Sequence, residues 1–167
     1  WRLKFQLHYT ASGKAETDVT RLGLHYTTEP VEKEFKTAII ANHRFKIPAG
    51  AHDYGVEKTH RVKRDSILYA MNPHMHFRGT RMSFEARYPD GRKEPLLSVP
   101  NYNFNWQRTY LPAKPIRLPE GTEILVRNAW DNSALNPHNP DPKKEVRWGD
   151  QSFEEMFFAT LGYVEES

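Results

Sequence analysis

No stretch of this chain carries a sustained helical period. What recurs is the two-residue alternation of a half-buried strand, cut short by the twelve prolines and nine glycines scattered through 167 residues. These breakers leave segments of about 6–10 residues, the length of strands rather than helices. Leu3, Phe5, Leu7 and Tyr9 alternate with Lys4, Gln6 and His8, and Leu22, Leu24 and Tyr26 repeat the pattern with His25 on the opposite face. Further strands are expected over Phe35–Ile40, Tyr54–Val62, Ile67–Met71, Met82–Tyr88 and Glu123–Trp130. Pro89-Asp90-Gly91 reads as a turn, because proline presets φ and glycine accepts a positive one. Phe153–Val164 has two readings. Ser152 with Glu155 has the spacing of a helix capping box, whereas the aromatic and β-branched residues favour a strand, which is the reading adopted. Many short strands with turns at this spacing predict an all-β chain, an antiparallel β-sandwich or jelly roll, as a single domain over residues 1–167.

Composition narrows what such a sandwich can do. Lys and Arg number 24 against 21 Asp and Glu, a formal net charge of +3 with eight His neutral. That is a mixed surface without the basic stripe a nucleic-acid partner requires. An aromatic content of 13% argues for a packed core. No apolar run approaches the roughly 20 residues of a membrane-spanning helix. The cysteine count is zero, which removes disulfides, thiolate zinc sites, iron–sulfur clusters, thiol catalysis and thiolate-bound copper. Any metal must be held by His, Met, Asp or Glu. The chain begins at Trp1 without an initiator Met or a signal-like segment and reads as a piece of a longer protein.

The richest segment for chemistry is Pro73-His74-Met75-His76-Phe77-Arg78-Gly79. On an extended backbone residues two apart share a face, so His74 and His76 can converge on one ion while Met75 points away. The same spacing also suits two histidines on a polar sheet face that bind nothing, and the residues alone leave both readings open. His8 and His25 read as surface or interstrand positions, His43, His52 and His60 as loop positions around Ile47–Gly50, and His138 as an exposed loop residue. No nucleophile elbow, phosphate loop or dinucleotide fingerprint is present. Asp131, Asp141, Asp150, Glu154 and Glu155 read as turn or surface carboxylates. Asp131 and Asp141 with Asn132, Asn136 and Asn139 offer oxygen donors for Ca²⁺, but the prolines among them favour a structural surface loop over Asn132–Pro142.

Taken in order, that His-containing segment, Tyr88-Pro89-Asp90-Gly91, Tyr102-Asn103-Phe104-Asn105-Trp106-Gln107, Asp131-Asn132-Ser133, Gly149-Asp150-Gln151-Ser152 and Glu155-Met156 resemble the C-terminal domain of the copper type II, ascorbate-dependent monooxygenases. This is the family of peptidylglycine hydroxylating monooxygenase and dopamine β-monooxygenase, and the chain is most similar to its bacterial members. The resemblance runs from about Leu3 to Tyr163. It implies one mononuclear copper held by His74, His76 and Met156, which would be the metal ligands and catalytic residues. A thioether with two imidazoles suits Cu(I) and disfavours Zn²⁺ and hard cations. Taken without the resemblance, Met156 reads as a core methionine between Phe153 and Phe157.

In the family, O₂ is activated at this copper to hydroxylate a substrate C–H bond. A second copper in the preceding N-terminal domain of the same polypeptide takes electrons from ascorbate. Its ligands include an adjacent His-His pair, which this chain lacks. The resemblance therefore implies the oxygen-binding half of a periplasmic or secreted enzyme, with the N-terminal copper domain as its partner and no sustained turnover alone. The positions that anchor a peptide carboxylate in peptidylglycine members are Asn72, Phe158 and Thr160 here, with no guanidinium among them. Peptide C-terminal glycine is thus not the expected substrate. Arg78 and Arg81 are read as solvent-exposed. Two other readings stay open: a copper-binding or electron-transfer module without hydroxylase activity, and a carbohydrate-binding sandwich using Trp1, Trp106, Trp130 and Trp148. Of these, Trp106 and Trp148 are expected to be scaffold.

Overall fold

The computed structural model describes residues 2–9 and 11–166, and every regular element among them is a strand. The chain falls into two units, Trp1–Val31 and Glu32–Ser167. Strands are β1 (Phe35–Asn42), β2 (Lys46–Ile47), β3 (Tyr54–Arg61), β4 (Ser66–His74), β5 (Gly79–Arg87), β6 (Lys93–Val99), β7 (Ile116–Leu118), β8 (Glu123–Trp130), β9 (Val146–Arg147) and β10 (Phe157–Glu165). One sheet has the order β1-β10-β4-β7 and the other β3-β8-β5-β6, while β2 pairs with β9. All the ladders are antiparallel. With the two-residue pair set aside, the first and last strands are neighbours in one sheet and every connection except the β5–β6 hairpin crosses between sheets. This is the jelly-roll arrangement.

The core follows from alternation on the inner faces. Met82, Phe84 and Ala86 of β5 and Ile124, Val126 and Trp130 of β8 meet Leu68 and Met71 of β4 and Phe157, Ala159 and Leu161 of β10, all buried. Leu68 and Met71 both face inward, although three residues apart, because the β4–β10 register shifts between Gly162 and Tyr163. Such a bulge adds one residue and restores the pleat. Each fully buried Leu or Phe contributes about 1.5–3 kcal/mol. The Pro89–Gly91 turn forms as expected, with Gly91 at φ 88° and its N–H donating to the Tyr88 carbonyl at 3.0 Å.

Two expected strands do not form. Residues 3–9 and 22–26 pair with nothing among the described residues, and Leu3, Phe5, Leu7, Leu22 and Leu24 stay more than half exposed. Their alternation is that of a strand, but a hairpin without a third strand or a packed face is marginal in water. His8 and His25 consequently lie on exposed coil. The capping-box helix at Ser152 is also absent, because the segment turns at Gln151–Glu154 and enters β10 at Phe157.

Candidate metal centre

β4 ends at His74, so His76 lies just beyond the ladder rather than on the same strand. The two rings still converge, their centroids 5.2 Å apart and their planes at 90°. Met75 points the other way, as the alternation requires. Its side chain is buried, with the Asn128 amide donating to its sulfur at 3.3 Å. That sulfur is engaged in the core, on the far side from the imidazoles.

Three side chains fix this segment. The Tyr102 hydroxyl accepts the Met75 N–H at 3.0 Å and donates to the Met75 carbonyl at 2.7 Å, pinning the residue between the histidines. Burial raises the Tyr102 phenol well above its ordinary value, so it stays protonated and can donate. Gln107 meets Nδ1 of His74 through Oε1, and its own Nε2 donates to the Phe104 carbonyl at 2.9 Å. Nδ1 of His76 lies 3.3 Å from the Glu154 carbonyl oxygen. Amide and peptide oxygens only accept, so each Nδ1 is the donor in these contacts. Metal-binding histidines are oriented in this manner, the distal nitrogen ligating while the other donates to a carbonyl. Burial, then the neighbouring His74, lowers the His76 pKa and favours the neutral ring.

The third fixing group is Glu155, read from sequence as a surface carboxylate and found wholly buried. Its Oε2 accepts from His76 N at 2.9 Å, Trp130 Nε1 at 2.8 Å and Met156 N at 3.3 Å, while Oε1 accepts from Arg78 N at 2.6 Å. Burial pushes its pKa up to about 7, against the pull of the Arg78 and His76 N–H groups. One oxygen atom thus gathers the main chains of His76 and Met156. The β4–β10 register pairs His74 with Phe158, and Met156, two residues before Phe158, shares its half-buried outer face. A period-two signal for Glu155 existed. It stands two residues before Phe157 and four before Ala159, on the inward face, where a carboxylate demands a partner.

Arg78 also departs from expectation. It is buried, with Nε donating to Asn132 Oδ1 at 2.9 Å and NH1 to the Phe153 carbonyl at 2.7 Å. Arg81 is exposed and paired with Asp53. The Asn-rich loop is locked by its own amides. Asn132 is buried and donates to the Pro48 and Lys144 carbonyls, Asn136 to Asp131, and Asn139 to Asn132 and Ser133. Its amides thus brace the backbone, while its buried start corrects the expectation of a loop lying entirely on the surface.

Among the described residues no three His, Cys, Asp or Glu side chains cluster as a ligand set. A metal at His74 and His76 would need another kind of third donor, and the thioether of Met156 is the soft group on that face. Two imidazoles with a thioether match the preference of Cu(I). Beside them, Phe104 stands edge-on to His76 and Phe77 and walls a cleft of about 290 Å³ that Tyr102, Asn103, Asn105 and His138 also line. Asn72, opposite Thr160 in the ladder, donates to Thr109 at 3.1 Å, and the Phe158 ring abuts His74.

The tryptophans do not assemble a stacking platform. Trp130 is buried, Trp148 is stacked by His43, and Trp106, expected as scaffold, is 61% exposed with the Arg108 guanidinium over its ring. Trp1 lies outside the described residues. No helix among the described residues is long and apolar enough to cross a membrane. The chain matches no protein-family model and no curated protein.

Proposed function

We propose that the jelly-roll unit is the oxygen-binding copper domain of a copper type II, ascorbate-dependent monooxygenase, with His74, His76 and Met156 as ligands. What carries the reading is the paired orientation of the imidazoles: the two rings converge, and each Nδ1 faces a carbonyl oxygen, from Gln107 or Glu154. Copper bound there would supply O₂ activation for hydroxylation of a substrate C–H bond. The chain's own groups hold the ligands: Tyr102 fixes Met75, Gln107 orients His74, and Glu155 ties the main chains of His76 and Met156 together. The cleft beside Phe104 has rings and amides in its wall and no lysine or arginine, which fits an uncharged organic substrate better than a carboxylate. The N-terminal copper domain, ascorbate and an extracytoplasmic setting follow from the resemblance.

Titration of the chain with Cu(I), followed by X-ray absorption, tests this directly. One equivalent of copper with a sulfur scatterer that disappears in Met156→Ala is expected. Failure to bind stoichiometric copper sinks it. A second reading, a copper-binding or electron-transfer module without hydroxylase activity, is favoured by Asn72, Phe158 and Thr160, which offer no cationic anchor. Ascorbate-dependent hydroxylation by the full-length protein would decide against it.

A further inference from the structure

The cleft of about 290 Å³ beside the imidazole pair has two kinds of lining, the rings of Phe77, Tyr102 and Phe104 and the polar side chains of Asn103, Asn105 and His138. All three rings are half-buried, so part of each stays open to a ligand, and the three polar residues are exposed. Phe104 also packs edge-on against His76, 6.0 Å between centroids, and is common to the cleft and the candidate metal centre. Both polar segments are held in place. The Asn103 carbonyl accepts the Trp106 N–H at 2.9 Å, and its Oδ1 accepts the Asn105 N–H at 2.9 Å. The main-chain N–H of His138 donates to Asn136 Oδ1 at 3.0 Å. A lining fixed in advance loses less conformational freedom when a ligand arrives.

What these groups leave unused describes the ligand. Nδ2 of Asn103, the whole carboxamide of Asn105 and the imidazole of His138 have no hydrogen-bond partner among the described residues. Together they offer both donors and acceptors. The lining holds no carboxylate, lysine or arginine, so an ionic head group would be desolvated there without a counter-charge. A ligand with a single polar group would satisfy one of the three side chains and cover the others unpaired. A saturated ring edged with hydroxyls, each able to donate and accept, meets all three, while its C–H face lies against the negative face of an aromatic ring. The volume is at the lower end of the range for ligand pockets, about 300–1,000 Å³, which leaves room for one such ring.

We infer that this cleft binds a neutral pyranose sugar, with the ring face on Phe77 and Phe104 and the hydroxyls at Asn103, Asn105 and His138. The sugar is thereby named as the substrate class of the proposed copper centre, and that role rests on the copper reading, whereas the binding itself requires no metal.

Methyl glycosides of glucose, galactose, mannose and N-acetylglucosamine, titrated into the metal-free full chain and followed by the side-chain amide NMR signals of Asn103 and Asn105, test the proposal. Benzyl alcohol and glucuronate serve as the neutral aromatic and the anionic probe. Saturable binding of at least one glycoside is expected, about tenfold tighter than either of those two. Asn105→Ala, at an exposed position whose side chain bonds to nothing among the described residues, should weaken that glycoside about tenfold at an unchanged thermal midpoint. Phe104→Leu should weaken it as well. Benzyl alcohol binding as tightly as every glycoside overturns the sugar in favour of an aromatic ligand, and glycoside binding indifferent to both substitutions overturns the site. Absence of saturable shifts with all four glycosides overturns the proposal. Because no copper is present, glycoside binding by a chain that fails to take up copper overturns the copper reading alone, and copper uptake without glycoside binding overturns the sugar assignment alone.

Discussion

Glu155 accepts the main-chain N–H of His76 at 2.9 Å, linking a buried carboxylate to a histidine 79 residues earlier in the chain. The same oxygen takes the indole N–H of Trp130, in the other sheet. The candidate metal centre is therefore braced from the core. Replacing Glu155 by Ala strands the main-chain N–H groups of Arg78 and His76 and the indole N–H of Trp130 in a buried site. A loss of about 1–3 kcal/mol is expected for leaving such buried donors unsatisfied. Urea unfolding should show it as a lower midpoint at unchanged slope. Glu155→Gln keeps one acceptor and should fall between Ala and wild type.

Gln107 separates ligand orientation from fold. It is exposed, so Gln107→Ala should leave the thermal midpoint close to wild type. It also removes the group that sets the His74 tautomer, so copper affinity should drop about 10–100-fold. Competition with a chelator of known affinity measures this, and an unchanged affinity would remove Gln107 from the site.

Gly79 permits a close approach. A Cβ at this position would stand 2.7 Å from Met75 Cβ and 2.9 Å from the Tyr102 ring. Gly79→Ala should cost about 1–3 kcal/mol through overpacking. It should also displace Tyr102 from Met75, visible as altered amide shifts at His74 and His76 in the metal-free protein.

His60 predicts one component of the acid response. Burial, with Lys63 nearby, holds its pKa below the ordinary 6.5. Between that depressed value and 6.5 the unfolded chain binds more protons than the folded one, so stability falls as pH drops through this window. The charged groups around the depression that His60 borders are Lys63, Arg64 and Glu165, with Tyr163 beside them. His60→Gln should flatten the pH dependence of urea unfolding between pH 6.5 and lower values, which comparison of midpoints across the window would show.

Period-two alternation located the strands that bury one face. Phe35–Ile40, Tyr54–Val62, Ile67–Met71, Met82–Tyr88 and Glu123–Trp130 all fall on β1, β3, β4, β5 and β8. It failed in both directions for identifiable reasons. At Leu3–Tyr9 and Leu22–Tyr26 the pattern is present without a partner strand among the described residues, and alternation cannot supply one. At Lys93–Val99 the pattern is broken by Pro95, which this edge strand tolerates at a register shift opposite Glu85. Ile116–Leu118 is too short, between Pro115 and Pro119, to show a period. In the site, His74 and His76 were legible from spacing, but the buried roles of Glu155 and Arg78 depend on contacts 75 or more residues apart. A carboxylate's neighbours across a sandwich leave no trace in its own segment.

The jelly-roll order sets β1 against β10, with Phe35 opposite Val164. The polypeptide therefore enters and leaves the sandwich side by side, at the pole remote from His74. A short linker from Glu166 back to Glu34, with new termini opened at the exposed Pro89–Gly91 turn, would give a circular permutant that keeps every ladder and leaves the imidazole pair untouched.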